Sequence, residues 1–359
     1  MIFQEPASMA ATVHPKVRST IHEFDLIHAL RKQHTLRTPS VIRGIGDDAA
    51  VITSKAGQWT VLTTDLLTEG IHFDLRTATM AVIGFRAAAA NLSDIAAMGG
   101  TPQYLLAAVA IPRTGSSRQF HQLYRGMMAA CRPHRVRLIG GDTSASCGGW
   151  FISLTLIGRV LPHTALFRSG AQIGDHLYVT GTIGDALAGL KLLNEPPARV
   201  KRHPRTAALS AKHRQFLIGR HLRPTARVAV GQWLSTHGFA TSAIDISDGL
   251  SGDLRHICEE SHVGVEVNLG ALPVSPACRA YAASRTLDPM SLALTGGEDY
   301  ELLFTVSPHQ RRRLERTALT RGFSLTCIGE IRPYRFGIQA LSLQGERHRL
   351  ANTSYTHFA

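Results

Sequence analysis

The chain has 359 residues and is 44% hydrophobic, enough for a large buried core and a length that fits two domains. Aromatics are sparse at 6% while glycine occurs 32 times, a balance that suits an α/β enzyme with many tight turns better than a helical bundle. Lys and Arg number 39 against 26 acids, a formal charge of +13, which points to an anionic partner or to a solvated basic surface.

The five cysteines (Cys131, Cys147, Cys258, Cys278 and Cys327) form no C-x-x-C pair. Neither a disulfide framework nor a thiolate zinc site is indicated, and a reducing cytoplasm is the simpler expectation. No apolar run approaches the roughly 20 residues of a membrane span. The first residues contain Lys16 and Arg18 but no apolar core, so no secretory signal is read there, and 1–21 is taken as a disordered extension.

In chain order, Glu23–Lys32 has apolar residues at 24, 26, 27 and 30 and predicts a short amphipathic helix. The turn Gly44-Ile45-Gly46-Asp47-Asp48 follows, with adjacent carboxylates on glycine-rich backbone. It also satisfies G-x-G-x-x-A, the dinucleotide fingerprint. Bare carboxylates inside that loop would repel a pyrophosphate, and Val51-Ile52-Thr53 leads into another turn rather than a long helix. Trp59–Thr64 predicts a strand that delivers Thr63, Thr64 and Asp65 at its carboxyl end, with His72 in the loop beyond. A lone loop histidine reads on its own as a surface residue.

Thr79–Met98 predicts an Ala-rich helix stopped by Gly99-Gly100. Asn91 and Asp94 share a face, and a carboxylate on so apolar a helix is costly to bury unless a cation or donor meets it. Tyr104–Ile111 predicts a strand and 118–132 a helix. Val136–Ile139 reads as a buried strand whose tip is Gly140-Gly141-Asp142, where paired glycines let backbone approach a ligand. Phe151–Val160 is a further strand, and Pro162-His163-Thr164 marks a domain boundary.

Arg168-Ser169-Gly170 then leads to a strand, His176–Thr180, and a glycine turn opening a helix at Ala186. Residues 196–227 are dense in Arg, Lys and His, but without aromatic interleaving or a recognisable module they read as solvated surface rather than a nucleic-acid interface. Ser242–Ile246 predicts a strand holding Asp245, with Asp248 a possible helix cap. Gly296-Gly297-Glu298-Asp299-Tyr300 precedes the strand Glu301–Val306. A basic helix (Gln310–Thr320) and two short strands (Ser324–Ile328, Ile338–Leu343) complete the pattern, and the tail carries Tyr355, His357 and Phe358.

The acids recur at strand ends and glycine turns. They cannot share a pocket bare, because like charges raise each other's pKa. Oxygen-only ligands select Mg2+, Mn2+ or Ca2+, and Mg2+ bridging phosphates is the commonest use of such a site. A glycosidase needs only two acids and aromatic platforms that this chain lacks. No G-x-S-x-G elbow and no P-loop occur.

These motifs, with Leu138–Thr143, Ala243–Leu250 and Thr295–Leu302, stand in an order that resembles the thiamine-monophosphate kinase family, within the aminoimidazole ribonucleotide synthetase-like superfamily. The resemblance runs from about Phe24 to Phe358. It implies an ATP-dependent phosphotransferase that makes thiamine diphosphate from thiamine monophosphate. The alternative within the superfamily is an enzyme acting on an aminoimidazole or formylglycinamidine precursor. The implied fold is α/β (α+β) and two-domain, with a mixed-sheet ATP- and Mg2+-binding domain (22–164) that forms a homodimer and a C-terminal α/β domain (165–359). By resemblance, Asp48, Thr63, Thr64, Asp65, Asp94, Asp142, Asp245 and Asp248 would bind several Mg2+ ions, with Asp65, Asp94 and Asp142 central to catalysis and Asp47 a less certain ligand. Gly141, Asp142, Arg168 and Ser247 would contact ATP; His72, Glu298 and Tyr355 would contact thiamine monophosphate. Neither nucleic acid nor membrane is an expected partner.

Overall fold

The computed structural model describes residues 23–34, 38–54, 57–195, 208–351 and 353–355. The extension 1–21, the basic residues Arg199, Lys201, Arg202 and Arg205, and the tail residues His357 and Phe358 lie outside the described residues.

The first half runs α1 (Glu23–His34), β1 (Val41–Arg43), β2 (Ala50–Thr53), β3 (Trp59–Thr68), α2 (Met80–Ala97), β4 (Thr101–Pro112), α3 (Ser117–Cys131), β5 (Arg137–Ser146) and β6 (Phe151–Val160). Its strands make a mixed sheet ordered β1-β2-β3-β6-β4-β5, in which only β4 and β5 are parallel. Helix α2 begins where Thr79 accepts a hydrogen bond from the Val82 N–H. α3 begins with a reciprocal capping box between Ser116 and Gln119. The two helices touch backbone to backbone: a Cβ on Gly84 would meet the Leu123 carbonyl at 2.0 Å, and one on Gly126 the Ala81 carbonyl at 1.9 Å.

The second half runs β7 (His176–Thr180), α4 (Asp185–Asn194), α5 (Ala211–Leu222), α6 (Val228–Thr236), β8 (Ala240–Asp245), α7 (Leu250–Ser261), β9 (Val263–Asn268), α8 (Pro276–Arg285), α9 (Pro289–Thr295), β10 (Leu302–Val306), α10 (Pro308–Arg321), β11 (Leu325–Pro333), β12 (Ile338–Leu341) and β13 (Arg347–Arg349). The sheet order is β13-β12-β9-β11-β7-β10-β8, antiparallel except for β12 with β9.

Both faces of this second sheet are buried, and the period of two along each strand sorts its side chains between two cores. On β10, Leu302, Phe304 and Val306 join one core while Leu303 joins the other. The first core is continuous from the first sheet through α2 to Trp233, Phe239, Tyr178 and Leu314. Helix α2 is therefore sandwiched between the two sheets. It is long and apolar enough to pass as a candidate span by length and composition, but Arg86 and Asp94 interrupt its apolar run and 72% of it is buried inside the fold.

The first sheet is different. Helices α2 and α3 cover one face, and Leu66, Tyr104 and Phe151 stand exposed on the other strands of the sheet. Strand β5 is an edge, exposed along nearly its whole length, with Leu138 and Ile139 in the open. The reading of Val136–Ile139 as a buried strand is thus corrected: Val136 is buried in the first core just before the strand, but Leu138 and Ile139 are exposed on it. The strand also runs on to Ser146, so Gly141 and Asp142 sit mid-strand rather than at a tip. Gly141, at φ +153°, lies so close to β4 that a Cβ would meet the Ala107 carbonyl at 1.9 Å. Likewise β3 continues to Thr68, leaving Thr63, Thr64 and Asp65 inside the strand.

Candidate active site

The Asp47-Asp48 turn joins β1 to β2, beside the chain that links the two sheets. From that link Arg168 donates from Nε to Asp48 Oδ1 at 2.9 Å and from Nη2 to the same oxygen. The Arg168 N–H donates to Asp47 Oδ1 at 3.2 Å, and Arg43 Nε stands 3.2 Å from Asp47 Oδ2. Burial pushes Asp47 up to about 7, with the neighbouring Asp48 charge adding to the shift. Burial also raises Asp48, against the pull of Arg168.

Three further elements bring acids to this turn. On β3, Thr63 and Asp65 share a pleat. The Thr63 hydroxyl donates to Asp94 on α2, and burial raises Asp65 to about 6. Asp94 is raised well above the ordinary carboxylate range, first by burial and then by the charges of Asp65, Asp245 and Asp48. At the end of β8, Asp245 accepts a hydrogen bond from Ser93 Oγ at 2.6 Å and is pushed up to about 8 by burial and by Asp48. These acids form one electrostatic unit, gathered from a turn, a strand, a helix and a strand end.

Two expected ligands stand apart from it. Thr64, on the opposite pleat, donates to the Leu154 carbonyl at 3.0 Å and accepts from Thr155 at 3.1 Å. Asp142 lies on the exposed edge strand β5 with Gly141. Asp248 and Ser247 lie in the turn after Asp245, and the Tyr355 N–H donates to the Asp248 carbonyl at 3.2 Å. Asp248 does not cap α7. The capping position is Gly249, whose N–H is taken by Asp253 Oδ2 at 3.0 Å. A carboxylate one turn into the helix competes for the same donor and serves the same orphan N–H groups.

Asp253 was not singled out from sequence. It is 2% exposed, and burial with the charges of Asp248 and Asp245 raises it well above the usual range. Its position in the first turn after an Asp-Gly pair was the available signal. Arg86 is a second buried charged residue on the same apolar helix as Asp94, and that setting is its signal in the sequence.

The loop Gly296–Tyr300 closes the other side. Glu298 (φ 63°) and Tyr300 (φ 50°) both occupy the left-handed region, which side-chain-bearing residues rarely adopt. The loop is pinned to the Asp245-containing segment: the Glu298 N–H donates to the Ser247 carbonyl at 2.7 Å and the Tyr300 N–H to the Ile246 carbonyl at 2.9 Å. Burial would raise Glu298, but Arg86 and His221 hold it down at about 2. His72 Nδ1 accepts a hydrogen bond from the Thr68 N–H at 3.0 Å, which in the neutral ring leaves the proton on Nε2.

Among the described residues no group of three or more His, Cys, Asp or Glu side chains has the geometry to hold a metal ion as it stands. The donor set nonetheless fits a hard cation. It is all oxygen, and Asp48 Oδ2 and Asp65 Oδ2 are buried without a hydrogen-bond partner. Burial, joined at Asp94 and Asp245 by the charges of neighbouring acids, raises these carboxylates, and a divalent cation would offset both effects.

The sequence profile of the AIR synthase related protein N-terminal domain matches residues 46–160. The chain is 35% identical over 339 residues to the thiamine-monophosphate kinase of Bacillus subtilis strain 168, covering 94% of this chain and 99% of that one. It is 38% identical over 340 residues to the thiamine-monophosphate kinase of Escherichia coli strain K12, covering 94% and 98% respectively. A solved structure described as AaThiL complexed with AMPPCP and TMP matches with a TM-score of 0.78 at 31% identity, over 94% of this chain and 97% of that one.

Proposed function

The chain belongs to the thiamine-monophosphate kinase family, and from that premise we propose that it transfers the γ-phosphoryl group of ATP directly to the phosphate of thiamine monophosphate, in line and with Mg2+ bound. The observation that carries the chemistry is the buried unit of Asp48, Asp65, Asp94 and Asp245, whose burial and mutual repulsion a bound cation would offset.

In this reading a phosphate oxygen of thiamine monophosphate attacks the γ-phosphorus of ATP, a new P–O bond forms, the bond to the β-phosphate bridge breaks, and ADP leaves. The attacking phosphate has a second pKa of about 6 and is mostly ionised at neutral pH, so no general base is needed. The difficulty is bringing two anions together, which is a matter of position and electrostatics. Mg2+ would be held by Asp48, Thr63, Asp65, Asp94, Asp245 and Asp248, with Asp47 beside them, and when bound it neutralises phosphate oxygens as a Lewis acid; Thr64, whose hydroxyl donates to the Leu154 carbonyl, and Asp142, on the exposed edge strand, stand apart from that set. Arg168, Ser247, Gly141 and Asp142 would hold the nucleotide. Arg168 now engages Asp48, so nucleotide binding redirects its guanidinium toward phosphate. His72, Glu298 and Tyr355 would hold the thiamine end.

A homodimer through the first sheet completes the proposal. Unpaired edge strand β5 carries exposed Leu138 and Ile139, and an open apolar edge invites pairing with a second copy. A division into residues 22–164 and 165–359 is supported by the two sheets, whose strands come from 41–160 and 176–349 respectively. The test is a product assay with ATP, Mg2+ and thiamine monophosphate, with an aminoimidazole and a formylglycinamidine precursor as controls. Thiamine diphosphate should form. Its absence, or turnover of a precursor instead, would overturn the proposal.

A further inference from the structure

Helix α2 carries a second ionic side chain besides Asp94. Arg86 is 4% exposed, in a helix whose surroundings are almost wholly apolar. Its Nη2 donates to Glu298 Oε1. His221 of α5, also 4% exposed, places Nδ1 3.2 Å from Glu298 Oε2. One carboxylate is thus held at one oxygen by a helix packed under the first sheet, while a histidine of a helix in the second half stands within ion-pair distance of the other oxygen.

A purely stabilising role accounts poorly for this grip. Well-packed apolar residues usually stabilise a core as well as a buried ion pair does. Arg86 also leaves its Nε buried without a hydrogen-bond partner. The loop has other anchors that suffice to hold its backbone. Asp299 accepts hydrogen bonds from the N–H groups of Gly184 and Ala186 at the start of α4. Glu301 is held by Arg220, Arg227 and Thr180. Glu298 alone is aimed from across the two halves, and it sits in the left-handed backbone region, where strain persists only if the surroundings impose it.

We propose that Arg86, together with His221, is the positioning residue for Glu298, fixing the carboxylate in the orientation that meets the organic end of thiamine monophosphate. The inference rests on the proposed function, in which Glu298 is a substrate contact. Held by a cation, Glu298 is an ionised, acceptor-only group at any working pH, which suits a quaternary cationic ring and an aminopyrimidine.

The test compares R86M, R86K, E298Q and the double variant R86M/E298Q in steady-state kinetics, varying each substrate separately. R86M should raise KM for thiamine monophosphate about tenfold or more while KM for ATP stays within about twofold. R86K should recover part of the loss, because an ammonium still meets one oxygen. In the double variant the losses should not multiply, since both act through one carboxylate. R86M leaves a half-buried carboxylate with only His221 beside it and can lose its fold; the double variant removes both charges and carries the test in that case. Unchanged KM for thiamine monophosphate, parallel rises for both substrates, or multiplicative losses would overturn the inference alone. A wild-type protein that makes no thiamine diphosphate would remove the functional reading, and this inference with it.

Discussion

Removing divalent cations and raising the pH should destabilise this protein, and the acid unit sets how far. Asp65 has an ordinary pKa of 3.8 and sits at about 6 in the folded chain. Between those values the folded state keeps a proton that the unfolded state has lost, so stability is greatest below the lower value and falls as pH rises through the higher one. At about 1.4 kcal/mol per pKa unit, Asp65 alone costs about 3 kcal/mol once ionised, and about half of that is lost between about pH 5 and pH 8. Asp47, at about 7, and Asp245, at about 8, carry the same sign and extend the window upward. Their contributions do not simply add, because the sites share protons. Denaturant titrations in EDTA at these two pH values should therefore show lower stability at the higher pH. The D65N variant should lose part of that dependence, and added Mg2+ should stabilise the wild type more at pH 8 than at pH 5, since binding displaces protons. Stability in EDTA that is flat or rising with pH, or Mg2+ stabilisation equal at both values, would refute the account of the acids as a cation site.

Three further outcomes follow from other parts of the molecule. Glu301 is fully buried between Arg220 and Arg227, so E301Q should lose about 3–5 kcal/mol in chemical denaturation; a loss under about 1 kcal/mol would mean that the network is not structural. Asp142 is exposed, so D142N should leave stability within about 0.5 kcal/mol while kcat falls about 100-fold or more. Wild-type turnover in D142N would remove that residue from the machinery. A charge at Ile139 should break the proposed pairing of β5, so I139E should shift the mass measured by light scattering from dimer to monomer; an unchanged dimer would place the interface elsewhere.

Much of the candidate site was legible in the sequence because its signals are local. A carboxylate on a glycine turn, or on an Ala-rich helix, is chemically out of place within a few residues of itself, and Asp48 and Asp94 declared themselves this way. What the sequence concealed depends on partners far along the chain. The run Val136–Ile139 looks like any buried strand, and only the sheet order reveals that β5 is an edge with one neighbour, which leaves Leu138 and Ile139 exposed. The polar Thr63-Thr64-Asp65 looked like a strand end, but the strand continues because its backbone stays paired with β6 as far as Thr68 opposite Phe151. Arg86 acquires meaning only through Glu298, a residue more than two hundred positions away. Asp253 hid behind Asp248, since both are plausible caps for one helix and only coordinates decide which takes the Gly249 N–H.

The burial of α2 between the two sheets has a consequence for reach. Arg86 and Asp94 are eight residues apart on one unbroken helix, so at about 1.5 Å per residue their positions differ by about 12 Å along its axis. The gap between the Glu298 grip and the acid unit is therefore measured by a rigid rod. It does not depend on the angle between two hinged lobes. One residue inserted between Ala87 and Asn91 would lengthen the rod slightly, but it would also swing Asp94 by about 100° around the axis, away from Thr63. In this architecture a yardstick lies inside the core, and its graduations are the turns of a single helix.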